Sequence, residues 1–127
     1  MLSFEQKYCM GTNDRKFQFF WDISAMLKDF QTAQLSIKYY NVSDLFKTNP
    51  FFGNAEYAMS ANVDDPCIIV RLTDNMEKLI DRNHRLYKAK QLGYDSIPCY
   101  VLPLDYHKRF IIDYDDNIYK SVVEDFF

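Results

Sequence analysis

Glycine and proline are scarce in this chain, three and four among 127 residues, so each one punctuates the fold. The three cysteines, Cys9, Cys67 and Cys99, are odd in number and far apart, with no C-x-x-C or C-x-x-H spacing. That argues against a disulfide framework and a zinc site, and suits a reducing compartment. No stretch approaches the run of about eighteen apolar residues that marks a membrane-spanning helix. The opening residues MLSFEQKYCMGTNDRK carry acidic and amide side chains where a secretory signal has a basic end and an apolar run. A soluble cytoplasmic protein with no membrane partner is therefore expected. Excess positive charge is also missing: a net charge of −3 offers nucleic acid no general attraction, and DNA or RNA is not expected as a partner.

What the chain does have is apolar mass. Hydrophobic residues make up 48% and aromatics 17%, which is enough for a real core and too much for disorder. The length fits one domain over residues 1–127, and neither a repeat nor a low-complexity tract nor a linker divides it.

Periodicity suggests both helices and strands. In FQFFWDISAMLKDFQTAQ, the three- and four-residue spacing of Phe20, Ile23, Met26, Leu27 and Phe30 predicts an amphipathic helix, with Asp22 and Ser24 near its start. LSIKYYNV reads as a strand, and SDLFKTNPFFG as a helix capped at Ser43 and stopped before Pro50. PCIIVRL and KLID, separated by TDNME, predict a hairpin. HRLYKAKQLGY sets Leu86, Ala89 and Leu92 at helical spacing, with Gly93 as its left-handed stop. SIPCYVLP follows as a strand with Pro98 near its beginning, where an edge or first position tolerates the missing N–H. Ile118, Val122, Val123 and Phe126 predict a final helix. The class is α+β: a small mixed sheet flanked by helices.

Between the KLID strand and the next helix stand Asp81, Arg82, Asn83, His84 and Arg85, more polar residues than capping requires. A helix N-terminus favours anions through its free N–H groups and its dipole. Arg85 adds a planar fork for phosphate oxygens, His84 a donor that titrates near neutrality, and Asn83 an amide or a cap. Asp81 repels phosphate unless a magnesium ion lies between them. The plain structural alternative makes Asp81 and Asn83 caps, and His84, Arg85, Lys88 and Lys90 a solvated surface.

The stretch IIVRLTDNMEKLIDRNHRLYKAKQLGYDSIPCYVL, about the central third of the chain, resembles the ParB/sulfiredoxin-like superfamily. Its members carry a D-G-x-H-R, G-G-C-H-R or G-E-R-R type box after a strand, then A-x-x-x-G and I-P-x-x-V. The matching residues here are Asp81, His84, Arg85, Ala89, Gly93, Ile97, Pro98 and Val101. The resemblance implies a phosphate-binding turn at a helix N-terminus. It further implies ATP or CTP with magnesium as ligand, and phosphotransfer or nucleotide hydrolysis as activity. In that scheme Arg82, Asn83, His84 and Arg85 bind the nucleotide, Asp81 and His84 are catalytic, and Asp81 holds the metal. Two departures narrow the reading. Arg82 replaces the glycine that lets backbone approach phosphate, so its side chain either joins the contacts or blocks the pocket. Asn83 stands where sulfiredoxins carry their cysteine nucleophile, which disfavours sulfinic-acid repair. Chromosome partition is disfavoured as well, because 127 residues leave no space for a helix-turn-helix domain. Kinase-like members use a carboxylate base from the N-terminal half, for which Asp44 and Glu56 are the candidates.

Other motifs weigh less. DYDDNIYKSVVE places Asp113, Asp115, Asn117 and Glu124 at EF-hand ligand positions, but Ile118 occupies the position that requires glycine. Cys99 reads as a small buried residue and His107 as a surface residue, with Lys108 and Arg109 completing a small basic patch. Phe17, Phe19, Phe20, Trp21 and Phe30, then Tyr39, Tyr40, Phe51, Phe52 and Tyr57, are mostly core material. Some could instead form a contact surface for a protein partner, with NPFFGNAEYAM the first segment to consider. That gives the alternative function: a non-catalytic inhibitor, immunity factor or assembly subunit, from a mobile element, that keeps the fold.

Overall fold

In chain order, the computed structural model forms β1 (Lys7–Gly11), β2 (Gln18–Asp22), α1 (Ile23–Asp29), β3 (Ile37–Asn41), α2 (Val42–Thr48) and α3 (Ala55–Ala58). These are followed by β4 (Cys67–Thr73), β5 (Met76–Asp81), α4 (Asn83–Gln91), β6 (Ser96–Leu102), α5 (Leu104–Lys108) and α6 (Asp116–Phe126). The described residues are 7–30, 33–49, 55–59, 65–81 and 83–126. This is the expected α+β class. Contacts divide the chain into two units, residues 35–102 and residues 1–34 with 103–127.

The first of these units is built on a four-stranded mixed sheet in the order β3-β6-β4-β5. β4 pairs antiparallel with β5 in the predicted hairpin, and parallel with β6, which in turn pairs antiparallel with β3. β4 reads as an unbroken apolar run because Cys67, Ile68, Ile69 and Val70 are all buried, as expected of an inner strand covered on both faces. On one face Cys67, Ile69, Leu79, Ile97 and Cys99 form a cluster with Val42 and Leu45 of α2 and Leu86 and Ala89 of α4. Each Val, Leu and Ile among them contributes about 1.5–3 kcal/mol by leaving water.

Local chemistry sets the helix ends. Asn41 caps α2 by accepting the Asp44 N–H at 3.0 Å, two positions before the expected cap at Ser43. Gly93 stops α4 with φ +77°, the left-handed geometry foreseen for it, and the Tyr94 N–H reaches back to the Ala89 carbonyl at 2.9 Å. Pro98, expected at an edge or first position, lies instead within an inner strand. There it is tolerated because the pairing with β4 starts one residue later, at Cys67↔Cys99.

In the other unit, β1 and β2 form an antiparallel hairpin, with Cys9 opposite Phe20 and Met10 opposite Phe19. The helix expected across FQFFWDIS does not extend that far back. Gln18–Asp22 is a strand, with Phe19 and Trp21 buried and Phe20 exposed, and the helix starts at Ile23 after Asp22 accepts the Ala25 N–H at 2.9 Å. Phe19, Phe20 and Trp21 are all apolar, so their two-residue alternation is invisible in the sequence, and the upstream partner strand decides the outcome. Residues 110–112 extend this layer: the Asp22 N–H donates to the Phe110 carbonyl at 2.7 Å and the Ile112 N–H to the Phe20 carbonyl at 2.9 Å.

His107, expected at the surface in a basic patch, is fully buried on α5. Its Nδ1 accepts the Trp21 indole N–H at 3.1 Å, and the Tyr119 ring lies 6.4 Å away between centroids. The neighbouring Lys108 ammonium sits 4.7 Å from the centre of the Tyr119 ring, so these residues build an aromatic core rather than a nucleic-acid patch. The EF-hand spacing dissolves in α6. Residues 116–124 are helical, Asp115 accepts the Ile118 N–H at the helix start, and Asp116 pairs with Lys120.

Candidate functional site

The hairpin brings Asp81 to the end of β5, and α4 begins at Asn83. The polar stretch expected before the helix is thus divided: Asp81 belongs to the strand, whereas Asn83, His84 and Arg85 form the first helical turn. The helix reaches back this far because Leu86 and Ala89 are packed in the core and fix its axis. Arg82 lies outside the described residues. A register shift between Ile68 and Ile69 falls opposite the Leu79–Asp81 step and bends β5 just where it hands over to the helix.

Asp81, His84 and Arg85 are all half-buried. The first turn of α4 contains no acidic residue, while Lys88 and Lys90 occupy the last turn. The lysines suit the negative end of the helix dipole; the Arg85 guanidinium stands at the positive end, where the dipole alone disfavours a cation. Part of that cost is offset by Asp65, whose Oδ2 lies 3.0 Å from Arg85 Nη2. The Arg85 side chain is 19% exposed and that of Asp65 51%, so the pair is partly shielded and open to solvent on the carboxylate side. Asp65 escaped the sequence reading because it is twenty residues away and no local pattern links the two.

Among the described residues no group of three or more His, Cys, Asp or Glu side chains converges as a metal cage. A single carboxylate at Asp81 fits magnesium that arrives on a nucleotide, since that ion keeps several waters and is bound through one or two carboxylates plus phosphates.

On the same sheet, β3, α2, β4 and β5 line a cleft of about 280 Å³. Leu45, Ile69 and Leu79 line it with apolar surface, and Tyr40, Asp44 and Glu77 are among its polar lining residues. The Tyr40 hydroxyl donates to Glu77, at 3.0 Å from Oε1 and 2.9 Å from Oε2, a bond that joins the two outer strands of the sheet. Burial and then the Glu77 carboxylate push the Tyr40 hydroxyl pKa well above its ordinary value. The sequence reading missed Tyr40 and Glu77, whose only signal is the alternation of Glu77, Leu79 and Asp81 along β5. Of the two candidate bases from the N-terminal half, Asp44 lines the cleft, whereas Glu56 is exposed on α3.

The thiols behave as their positions dictate. Cys67 and Cys99 are buried cross-strand neighbours, and hydrogen bonding to Cys67 together with burial raises the Cys99 pKa far above normal, so Cys99 is no nucleophile. Cys9 is exposed. Of the aromatic segment NPFFGNAEYAM, Phe51 and Phe52 lie outside the described residues and Tyr57 belongs to α3. Exposed rings occur elsewhere, at Phe17, Phe20 and Tyr39. Among the described residues no helix is long and apolar enough to cross a membrane. No protein-family model matches the chain, and neither curated proteins nor solved structures gave a match.

Proposed function

We propose that the chain is a nucleotide-binding domain of the ParB/sulfiredoxin-like type, which takes ATP or CTP with magnesium and carries out phosphoryl transfer or hydrolysis. The observation that carries this reading is the first turn of α4: a histidine, an arginine and no acid at the positive end of a helix, directly after a strand-terminal aspartate. An anion in front of that turn reverses an otherwise unfavourable arrangement, through the helix dipole and the guanidinium together. In this scheme Asn83, His84 and Arg85 grip the phosphates, and Arg82 modifies the pocket. Asp81 holds the magnesium that screens it from the phosphates or, alternatively, orients the attacking nucleophile. His84 stabilises charge that builds up in transfer. Asp65 engages Arg85, so phosphate and Asp65 share or compete for one guanidinium.

The test is a calorimetric titration with ATP and with CTP, each with and without magnesium, on the native chain, Arg85→Ala and Asp65→Asn. Saturable binding that is lost in Arg85→Ala and tightened in Asp65→Asn is the expected result. Binding unchanged by Arg85→Ala removes the turn from the site. A second reading, a non-catalytic interaction protein, draws on Ile37 and Tyr39, which are 50% and 67% exposed on the outer strand β3. Failure of both nucleotides to bind shifts the assignment to it.

A further inference from the structure

We infer that the Tyr40–Glu77 cleft is the nucleoside pocket of this domain: it receives the base on its apolar lining and the ribose diol on the Glu77 and Asp44 carboxylates. The inference rests on the nucleotide reading above and adds to it a second set of residues, remote in sequence from the helix start.

The hydrogen-bond inventory of the cleft decides the class of ligand. Asn41 and Lys78 also line it, and the donors of Tyr40, Thr48 and Asn49 are committed to the protein. The Tyr40 hydroxyl donates to Glu77, the Thr48 hydroxyl to the Leu45 carbonyl at 3.3 Å, and the Asn49 amide to the Leu45 carbonyl and to Thr48 Oγ1, both at 3.0 Å. Among the described residues its acceptors are in surplus: the Glu77 carboxylate receives only the tyrosine proton, and the Asp44 carboxylate has no hydrogen-bond partner. A ligand that fits must therefore bring hydroxyl or amino donors of its own and an apolar face for Leu45, Ile69 and Leu79. The two carboxylates, Asp44 and Glu77, repel phosphate at this end and accept from the hydroxyls of a ribose.

Spacing points the same way. Glu77 precedes Asp81 by four residues on one strand, which at extended geometry puts them about 13 Å apart. That is of the order of the reach from a ribose to its outer phosphates. The sugar on Glu77 and the phosphate tail at α4 are thus compatible with one bound molecule. Tyr40 has a positioning role: its bond from the opposite outer strand holds the Glu77 carboxylate over the sheet.

The experiment compares three probes, ATP or CTP (whichever the native chain binds), its 2′,3′-dideoxy analogue, and inorganic tripolyphosphate, on the native chain, Glu77→Gln and Arg85→Ala. Glutamine retains an oxygen for the Tyr40 hydroxyl, so the fold is kept, which a thermal melt verifies. Glu77→Gln is expected to weaken the ribonucleotide about tenfold, the loss of one charge-assisted bond, while tripolyphosphate is unaffected. The dideoxy analogue should bind the native chain and Glu77→Gln equally, an outcome that a merely structural role for Glu77 does not produce. Arg85→Ala weakens all three. If the ribonucleotide binds Glu77→Gln as tightly as the native chain while Arg85→Ala abolishes binding, the pocket assignment falls and the phosphate site stands. If no probe binds the native chain, both fall.

Discussion

The buried bond between Trp21 and His107 gives the sharpest test of the packing. Replacing Trp21 with Phe keeps an aromatic ring against Phe19, whose centroid lies 4.9 Å from that of Trp21, but removes the indole N–H that His107 Nδ1 accepts at 3.1 Å. Both residues are at 0% exposure, so water cannot replace the lost donor. The unsatisfied acceptor costs about 1–3 kcal/mol, and the smaller ring leaves space worth about 1 kcal/mol. The sum, about 2–4 kcal/mol, is a large share of the stability of any small protein. His107→Leu strands the opposite partner, the indole N–H, at a similar cost. The double variant strands neither, so it should be less destabilised than the sum of the singles by about 1–3 kcal/mol. Urea unfolding followed by far-ultraviolet circular dichroism measures all four proteins, since the chain's single tryptophan is removed in two of them. Additivity within about 0.5 kcal/mol refutes the reasoning.

Two further predictions concern the sheet unit. Gly93→Ala meets no atom within 4 Å of the added carbon, so its cost is the φ of +77° alone, about 1 kcal/mol; a melt unchanged from the native chain contradicts the left-handed stop. The raised pKa of the Tyr40 hydroxyl means that the folded state favours the protonated form. Its contribution is fully present below the ordinary tyrosine value of about 10 and is lost as pH rises from there towards the folded value. Urea midpoints measured between neutral and strongly alkaline pH should therefore fall more gently for Tyr40→Phe than for the native chain, and identical slopes count against the Tyr40–Glu77 bond.

How much of this was legible depends on where each residue's partners lie in the chain. The β4–β5 hairpin, α4 and its glycine stop depend on neighbours a few residues away, and the apolar runs and the single Gly93 announce them. β2 carries a helical pattern in its sequence because three consecutive aromatics mask its inward alternation, and only pairing with β1 exposes it. His107 has no local signal of burial. Its partner is Trp21, eighty-six residues away.

The site divides along the same line. The sequence by itself determined that Asp81, His84 and Arg85 would gather where a strand meets a helix, since the distance between them is set by backbone geometry. Tertiary structure alone decided that Asp65 would hold Arg85, that Glu77 would meet Tyr40 from the far edge of the sheet, and that a cleft would open at the Tyr40–Glu77 bond. The reason is physical: contacts along one element follow from its period, whereas contacts across the sheet follow from strand order and register, which no single segment encodes.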